Sequence, residues 1–110
     1  MMLVGDVSGR TAILIDDLAD TCTTIARAAR LLKREGSTKV YALVTHGIFS
    51  GDAMERLKTK DLDKVVVTNS VDQREHKEIL GDKLEVLEVA NVFAEVILHD
   101  CTVETQPDLL

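Results

Sequence analysis

Between Ala12 and Ile25 the chain reads AILIDDLADTCTTI: an apolar run breaks into adjacent carboxylates at Asp16 and Asp17, a third follows at Asp20, and three threonines surround Cys22. A carboxylate accepts two hydrogen bonds side by side, which suits the cis-diol of a ribose, and it can also ligate hydrated Mg²⁺. Immediately downstream, a loop opening a helix presents unpaired backbone N–H groups and the positive end of the helix dipole. Asp20, Thr21, Cys22, Thr23 and Thr24 therefore form a candidate phosphate cradle of amides and hydroxyls. Asp16 and Asp17 repel a phosphate, so their partners are hydroxyls. Hydroxyl-binding acids followed by an anion cradle describe a site for a phosphorylated sugar. The same residues fit a plainer role, in which Asp16 or Asp20 caps the helix and the threonines finish a polar turn, and composition alone does not separate the two.

Other polar residues fall where chemistry could occur. His46 follows an apolar run in THGIFSG, where the commoner role is a hydrogen bond to backbone in a turn. Thr68 and Asn69 end another run, where a structural role is as plausible as ligand contact. Cys22 at a helix N-terminus could have a depressed thiol pKa, but no base or resolving cysteine accompanies it, so packing is expected. Phe49 is expected in the core, and His76 solvated in a charged loop. The cations gather on the first helix or in surface stretches, which leaves no candidate for a basic group beside the acidic loop.

These residues need elements to position them. Thr11–Ile15 is a short continuous apolar run, as in a strand buried on both faces of a parallel sheet. Ile25, Ala28, Ala29 and Leu32 recur at helical spacing, cations crowd the last turns, and Gly36 is placed to supply a left-handed C-terminal cap. Val40–Thr45 reads as a second strand, and Ser50 as the N-cap of a short helix that turns Ala53, Met54 and Leu57 inward. Val65–Thr68 is a third strand. Val71–Lys77 lacks periodicity and reads as a loop with at most one helical turn. Leu84–Val89 is a fourth strand, and Asn91 opens a final helix with Val92, Phe93, Val96 and Ile97 apolar. Strands alternating with helices imply an α/β fold with a parallel sheet, flanking helices and ligand loops at the carboxyl ends of the strands. We expect one domain over residues 1–99 and an irregular tail over 100–110.

Bulk properties exclude several classes. The chain has 110 residues, 45% of them hydrophobic, enough for one packed core and too few for two domains. Its net charge of −6 argues against a nucleic-acid partner. The two cysteines lack metal-ligand spacing, no run is long enough to cross a bilayer, and the N-terminus is unlike a signal peptide. A cytoplasmic location with reduced thiols and no membrane partner is expected.

ILIDDLADTCTTI closely resembles the phosphoribosyl-pyrophosphate motif of type I phosphoribosyltransferase folds. GDVSGRTAILIDDLADTC, KVYALVTHGIFSG and VVVTNS, in this order and spacing, look like the C-terminal half of the ribose-phosphate diphosphokinases, over about residues 4–98. The resemblance implies a phosphoribosyltransferase-like (Rossmann-like) fold, incomplete because two strands flanking the Asp16 strand are missing, which exposes a hydrophobic sheet edge. It implies that Asp16 and Asp17 hold the ribose 2- and 3-hydroxyls and that Asp20 to Thr24 bind the 5-phosphate. His46 would lie near a nucleotide or subunit boundary. The family transfers the diphosphoryl group of Mg-ATP to ribose 5-phosphate. Its adenine-binding residues, its main Mg²⁺ ligands and its basic catalytic loop precede this region, so no catalytic residue and no defined metal ligand is expected here, and the chain alone should be inactive. A homo-oligomer or association with full-length synthetase subunits follows from the same resemblance.

Two departures stand out. Thr23 replaces a glycine of the family motif, and LHDCTVETQPDLL replaces the usual RxHxxxSVSxLF ending; His99 matches the family histidine, but regulation by phosphate or ADP does not carry over. A receiver domain lacks its third-strand Asp and its Lys here, a dinucleotide fold lacks G-x-G-x-x-G, and other phosphoribosyltransferases would use the same acidic loop, but THGIFSG and VVVTNS favour the synthetase family. The alternative from another class is a non-catalytic, synthetase-associated regulatory or truncated protein that binds synthetase subunits.

Overall fold

The computed structural model describes residues 6–102 of the chain. Four strands and four helices alternate: β1 (Thr11–Ala19), α1 (Thr23–Arg34), β2 (Lys39–Gly47), α2 (Ala53–Leu57), β3 (Lys64–Thr68), α3 (Arg74–Leu80), β4 (Leu84–Leu87) and α4 (Ala90–Thr102). The strands form one parallel sheet in the order β1-β2-β3-β4. Each crossover therefore steps to the adjacent strand in the same direction, and right-handed crossovers then place successive helices on one side. Accordingly α1 packs on β1 and β2, and α2 touches both α1 and α3.

That side holds the core. Val40, Ala42 and Val44 of β2, Val65 and Val67 of β3 and Leu84 of β4 are buried against Ile25, Ala29 and Leu32 of α1 and Ala53 and Leu57 of α2. The alternate residues face the other side, where Ile13 is 55% exposed, Ile15 79% and Leu87 52%. The expectation that Thr11–Ile15 is buried on both faces is thus corrected: β1 is an edge strand, and its odd-numbered isoleucines lie on a face that no crossover helix covers. Leaving an isoleucine in water forgoes about 1.5–3 kcal/mol of burial energy.

Local signals explain the element ends. Gly36 takes φ 99° after α1, where its N–H reaches the Lys33 carbonyl at 3.1 Å and Ser37 N–H the Leu32 carbonyl at 3.0 Å. Asp63 takes the Val40 N–H at 2.7 Å and the Lys33 ammonium at 3.0 Å, tying α1 to the start of β2. Burial opposes ionisation of Asp63, but these two donors outweigh it and hold its carboxyl below the ordinary value.

Three expectations shift. Residues 74–77, read as part of a loop with at most one helical turn, open α3, which runs on to Leu80, its only buried residue. Ser50 does not cap α2; the residue at that position is Asp52, without a side-chain cap bond. The final helix runs to Thr102, beyond the expected start of the tail at residue 100, and its Val92, Val96 and Ile97 are exposed. The side chains of Asn91 and Phe93 and residues 103–110 lie outside what is described.

Candidate functional site

β1 extends past its apolar run through Ala19, so Asp16 and Asp17 are strand residues, with Asp16 opposite Val44 and Leu18 opposite His46. Successive strand side chains leave on opposite faces. Asp16 therefore shares the side of the core and α1, and Asp17 the open side; both are exposed. Among the described residues Asp16 accepts only a long 3.5 Å contact from the Leu18 N–H.

The chain then turns into α1 through Cys22, which adopts a left-handed φ of 64° and is buried at 5% exposure. Thr23 and Thr24 are the first two helical residues, and the Thr21 and Thr23 hydroxyls lie 3.4 Å apart. Among the described residues no side chain caps this helix, and no acidic residue stands in its first turn. Asp20, a candidate cap, instead accepts a hydrogen bond from the Ser50 hydroxyl. The helix therefore keeps its first-turn N–H groups and positive dipole end available to an anion. Thr23, which stands where the resembled motif has glycine, has no positive φ; the strained position is Cys22. Burial pushes the Cys22 thiol up to about 11, against a smaller lowering by Arg56. Its packing role agrees with the sequence.

The neighbouring loops brace this one. The Ile48 and Phe49 N–H groups donate to the Ala19 carbonyl at 2.9 and 3.2 Å, and Ser50 N–H to the Asp20 carbonyl at 3.0 Å. Arg56 Nη1 of α2 donates to the Thr21 carbonyl at 2.9 Å. Sequence reasoning left no cation beside the acidic loop; α2 places one there. Its signal was faint, a single arginine three residues after the buried Ala53.

Phe49 is buried at 4% with φ 52°, and its ring meets His76 edge-on at 5.2 Å. His76 is half-buried in α3 and its Nδ1 pairs with Gln73 Oε1 at 2.8 Å, so it is not the solvated loop residue expected. Gln73, which no motif singled out, is 3% exposed and donates through Nε2 to the Gly47 carbonyl at 2.7 Å. His46 lies in β2 rather than in a turn, and its Nδ1 meets the Ser70 hydroxyl at 2.7 Å instead of backbone. The Thr68 hydroxyl donates to the Thr45 carbonyl at 2.6 Å. Asn69 Oδ1 accepts the Val89 N–H at 2.9 Å. Both of these side chains tie adjacent strand ends together.

The structure thus gathers Asp16, Asp20, Thr21, Cys22, Thr23 and Thr24 at the end of β1, and sets His46, Thr68 and Asn69 at the ends of β2 and β3. A separate concavity along α3 and β4, lined by Asp72, Arg74, Lys77, Glu85 and Glu88, excludes the acidic loop. Among the described residues no group of three or more His, Cys, Asp or Glu is placed to hold a metal. No helix among them is long and apolar enough to cross a membrane.

Comparison with known proteins bears on this geometry. The family model of the phosphoribosyl synthetase-associated domain matches residues 1–106. Ribose-phosphate pyrophosphokinase C of Dictyostelium discoideum is 47% identical over 97 residues, covering 88% of this chain and 30% of that protein. The crystal structure of a phosphoribosylpyrophosphate synthetase from Mycobacterium smegmatis superposes with a TM-score of 0.77 at 41% identity, over 86% of this chain and 31% of that one. The chain spans less than a third of the length of either. One relative is named as a ribose-phosphate pyrophosphokinase and the other as a phosphoribosylpyrophosphate synthetase, and the alternative of a regulatory partner protein is not favoured.

Proposed function

The chain belongs to the phosphoribosyl synthetase-associated domain family, and from this we propose that it is the C-terminal, phosphoribosyltransferase-like part of a ribose-phosphate diphosphokinase, binding ribose 5-phosphate or phosphoribosyl pyrophosphate through residues 16–24. The observation that carries the reading is the uncapped N-terminus of α1, which follows a loop whose only carboxylate is turned onto Ser50. A phosphate there meets backbone donors and the hydroxyls of Thr21, Thr23 and Thr24. The sugar then extends back along the end of β1, where Asp16 and Asp17 flank the strand and accept from the ribose hydroxyls. Because β1 is an edge strand of the sheet, its unpaired edge lies open beside these carboxylates.

In the whole synthetase the ribose 1-hydroxyl would attack the β-phosphorus of ATP, with AMP leaving. Such phosphoryl chemistry depends on positioning and charge neutralisation more than on covalent work by the protein. This chain's part is to hold the acceptor. Mg²⁺ would neutralise the transferring group, its ligands coming mainly from the remaining part of such an enzyme, as would ATP contacts and association between subunits.

The test is calorimetry with ribose 5-phosphate. Asp16→Ala and Thr24→Ala should each weaken binding about tenfold, the loss of one charge-assisted hydrogen bond, while unfolding stays within error. Unchanged affinity in both variants removes the site from this loop. The purified 110-residue chain should form no phosphoribosyl pyrophosphate from ATP; measurable product would overturn the assignment of a purely acceptor-holding role.

A further inference from the structure

We propose that Arg56 and Ser50 are positioning residues for the phosphate loop: together with the Ile48 and Phe49 amides they hold three consecutive carbonyls so that the amides that follow them face a single anion. The inference rests on reading residues 20–24 as the phosphate cradle. The carbonyls of Ala19, Asp20 and Thr21 are all taken by the segment 48–56: the first by Ile48 and Phe49 N–H, the second by Ser50 N–H, the third by Arg56 Nη1. In a planar trans peptide the C=O and the following N–H point in opposite directions. Turning these carbonyls toward α2 therefore turns the N–H groups of Asp20, Thr21 and Cys22 away from it, and among the described residues none of these three donates a backbone hydrogen bond. Consecutive amides turned outward beside a left-handed residue make an anion-binding concavity.

Charge follows the same design. Asp20 stands at the entrance of the cradle, where a free carboxylate would repel phosphate, and the Ser50 hydroxyl engages it. Arg56 brings a guanidinium to the next residue and, among the described residues, forms no ion pair with a carboxylate. Its charge is thus left to balance Asp20 and an incoming anion. Neither residue needs to touch the ligand.

Three variants test this: Arg56→Met, which keeps the aliphatic stem and removes charge and donor; Arg56→Lys, which restores both in part; and Arg56→Met with Ser50→Ala. Ribose 5-phosphate affinity should fall about tenfold in Arg56→Met and recover substantially in Arg56→Lys, which a packing role alone would not produce. Amide exchange at Ile48, Phe49 and Ser50, measured without ligand, should quicken at least about fivefold in the double variant as the local opening energy falls. Wild-type affinity in Arg56→Met, or no recovery in Arg56→Lys, overturns the proposal. If the unsubstituted chain fails to bind ribose 5-phosphate, the phosphate reading itself fails, and exchange then decides the clamp alone: unchanged rates in the double variant overturn it, and faster rates sustain it.

Discussion

Replacing Gly47 by alanine tests how tightly the second loop is built against the first. A Cβ at this position would lie 2.5 and 2.6 Å from the Phe49 ring and 2.8 Å from Val67 Cγ2. Gly47 has an ordinary φ, so space rather than backbone conformation requires the glycine. The ring cannot simply swing aside, because Phe49 is 4% exposed and Val67 1%. Overpacking of this kind costs about 1–3 kcal/mol, and the reduced backbone entropy of the unfolded alanine chain returns about 0.4–1 kcal/mol. The net expectation is a loss of about 1–2 kcal/mol, or roughly 4–16 °C in melting temperature for a domain of this size. Urea unfolding of Gly47→Ala, Phe49→Leu and the double variant should show coupling: leucine removes the atoms the new methyl meets, so the double variant should be at least about 1 kcal/mol more stable than the sum of the single losses. Additive losses, or a Gly47→Ala protein as stable as the parent, would refute the steric argument.

Removing the buried amide should be costly: Gln73→Leu leaves the Gly47 carbonyl without its 2.7 Å donor and should lose about 1–3 kcal/mol in urea unfolding, with His76→Ala costing less. The Cys22 thiol, raised to about 11, is neutral in the folded chain while an unfolded one ionises near its ordinary value of 9.0. Its contribution to stability is therefore whole below about pH 9 and declines as pH rises to about 11, so Cys22→Ala should flatten the alkaline limb of a stability–pH curve. In a Cys101→Ser background, Cys22 should also react with a thiol reagent at pH 8 about a hundredfold more slowly than a free thiol, since only the thiolate attacks. Ile15→Lys, at a residue 79% exposed, should change stability by less than about 0.5 kcal/mol while reducing self-association in sedimentation velocity.

Much of the fold was legible because its signals are local. The periodicity of α1, its Gly36 cap and the strand runs at 40–45 and 65–68 depend on neighbours within a few residues. What escaped notice depends on distant ones. Thr11–Ile15 is as apolar as a doubly buried strand, yet its exposure is set by strand order, which no window of sequence contains. Ser50 has the local preference of an N-cap, but its hydroxyl goes to Asp20, thirty residues upstream. α3 has almost no apolar face to announce it; its start is organised by Gln73, which reaches back to Gly47. In the candidate site, residue types and order were readable from AILIDDLADTCTTI. The separation of Asp16 from Asp17 by a strand face, the left-handed Cys22 and the approach of Arg56 were not, because each follows from how β1 and α2 sit in the assembled sheet.

The one-sided stacking of the crossover helices has an engineering consequence. All the loops that shape the candidate site hang from the carboxyl ends of the strands, whereas the uncovered apolar residues lie on the flat of the sheet. The back of the sheet is therefore a surface that can be rewritten by polar substitutions at Ile13, Leu43 and Leu87, provided that Asp17, at the end of β1 on the same face, is left uncovered. Solubility and ligand binding become separately adjustable properties of a single small scaffold.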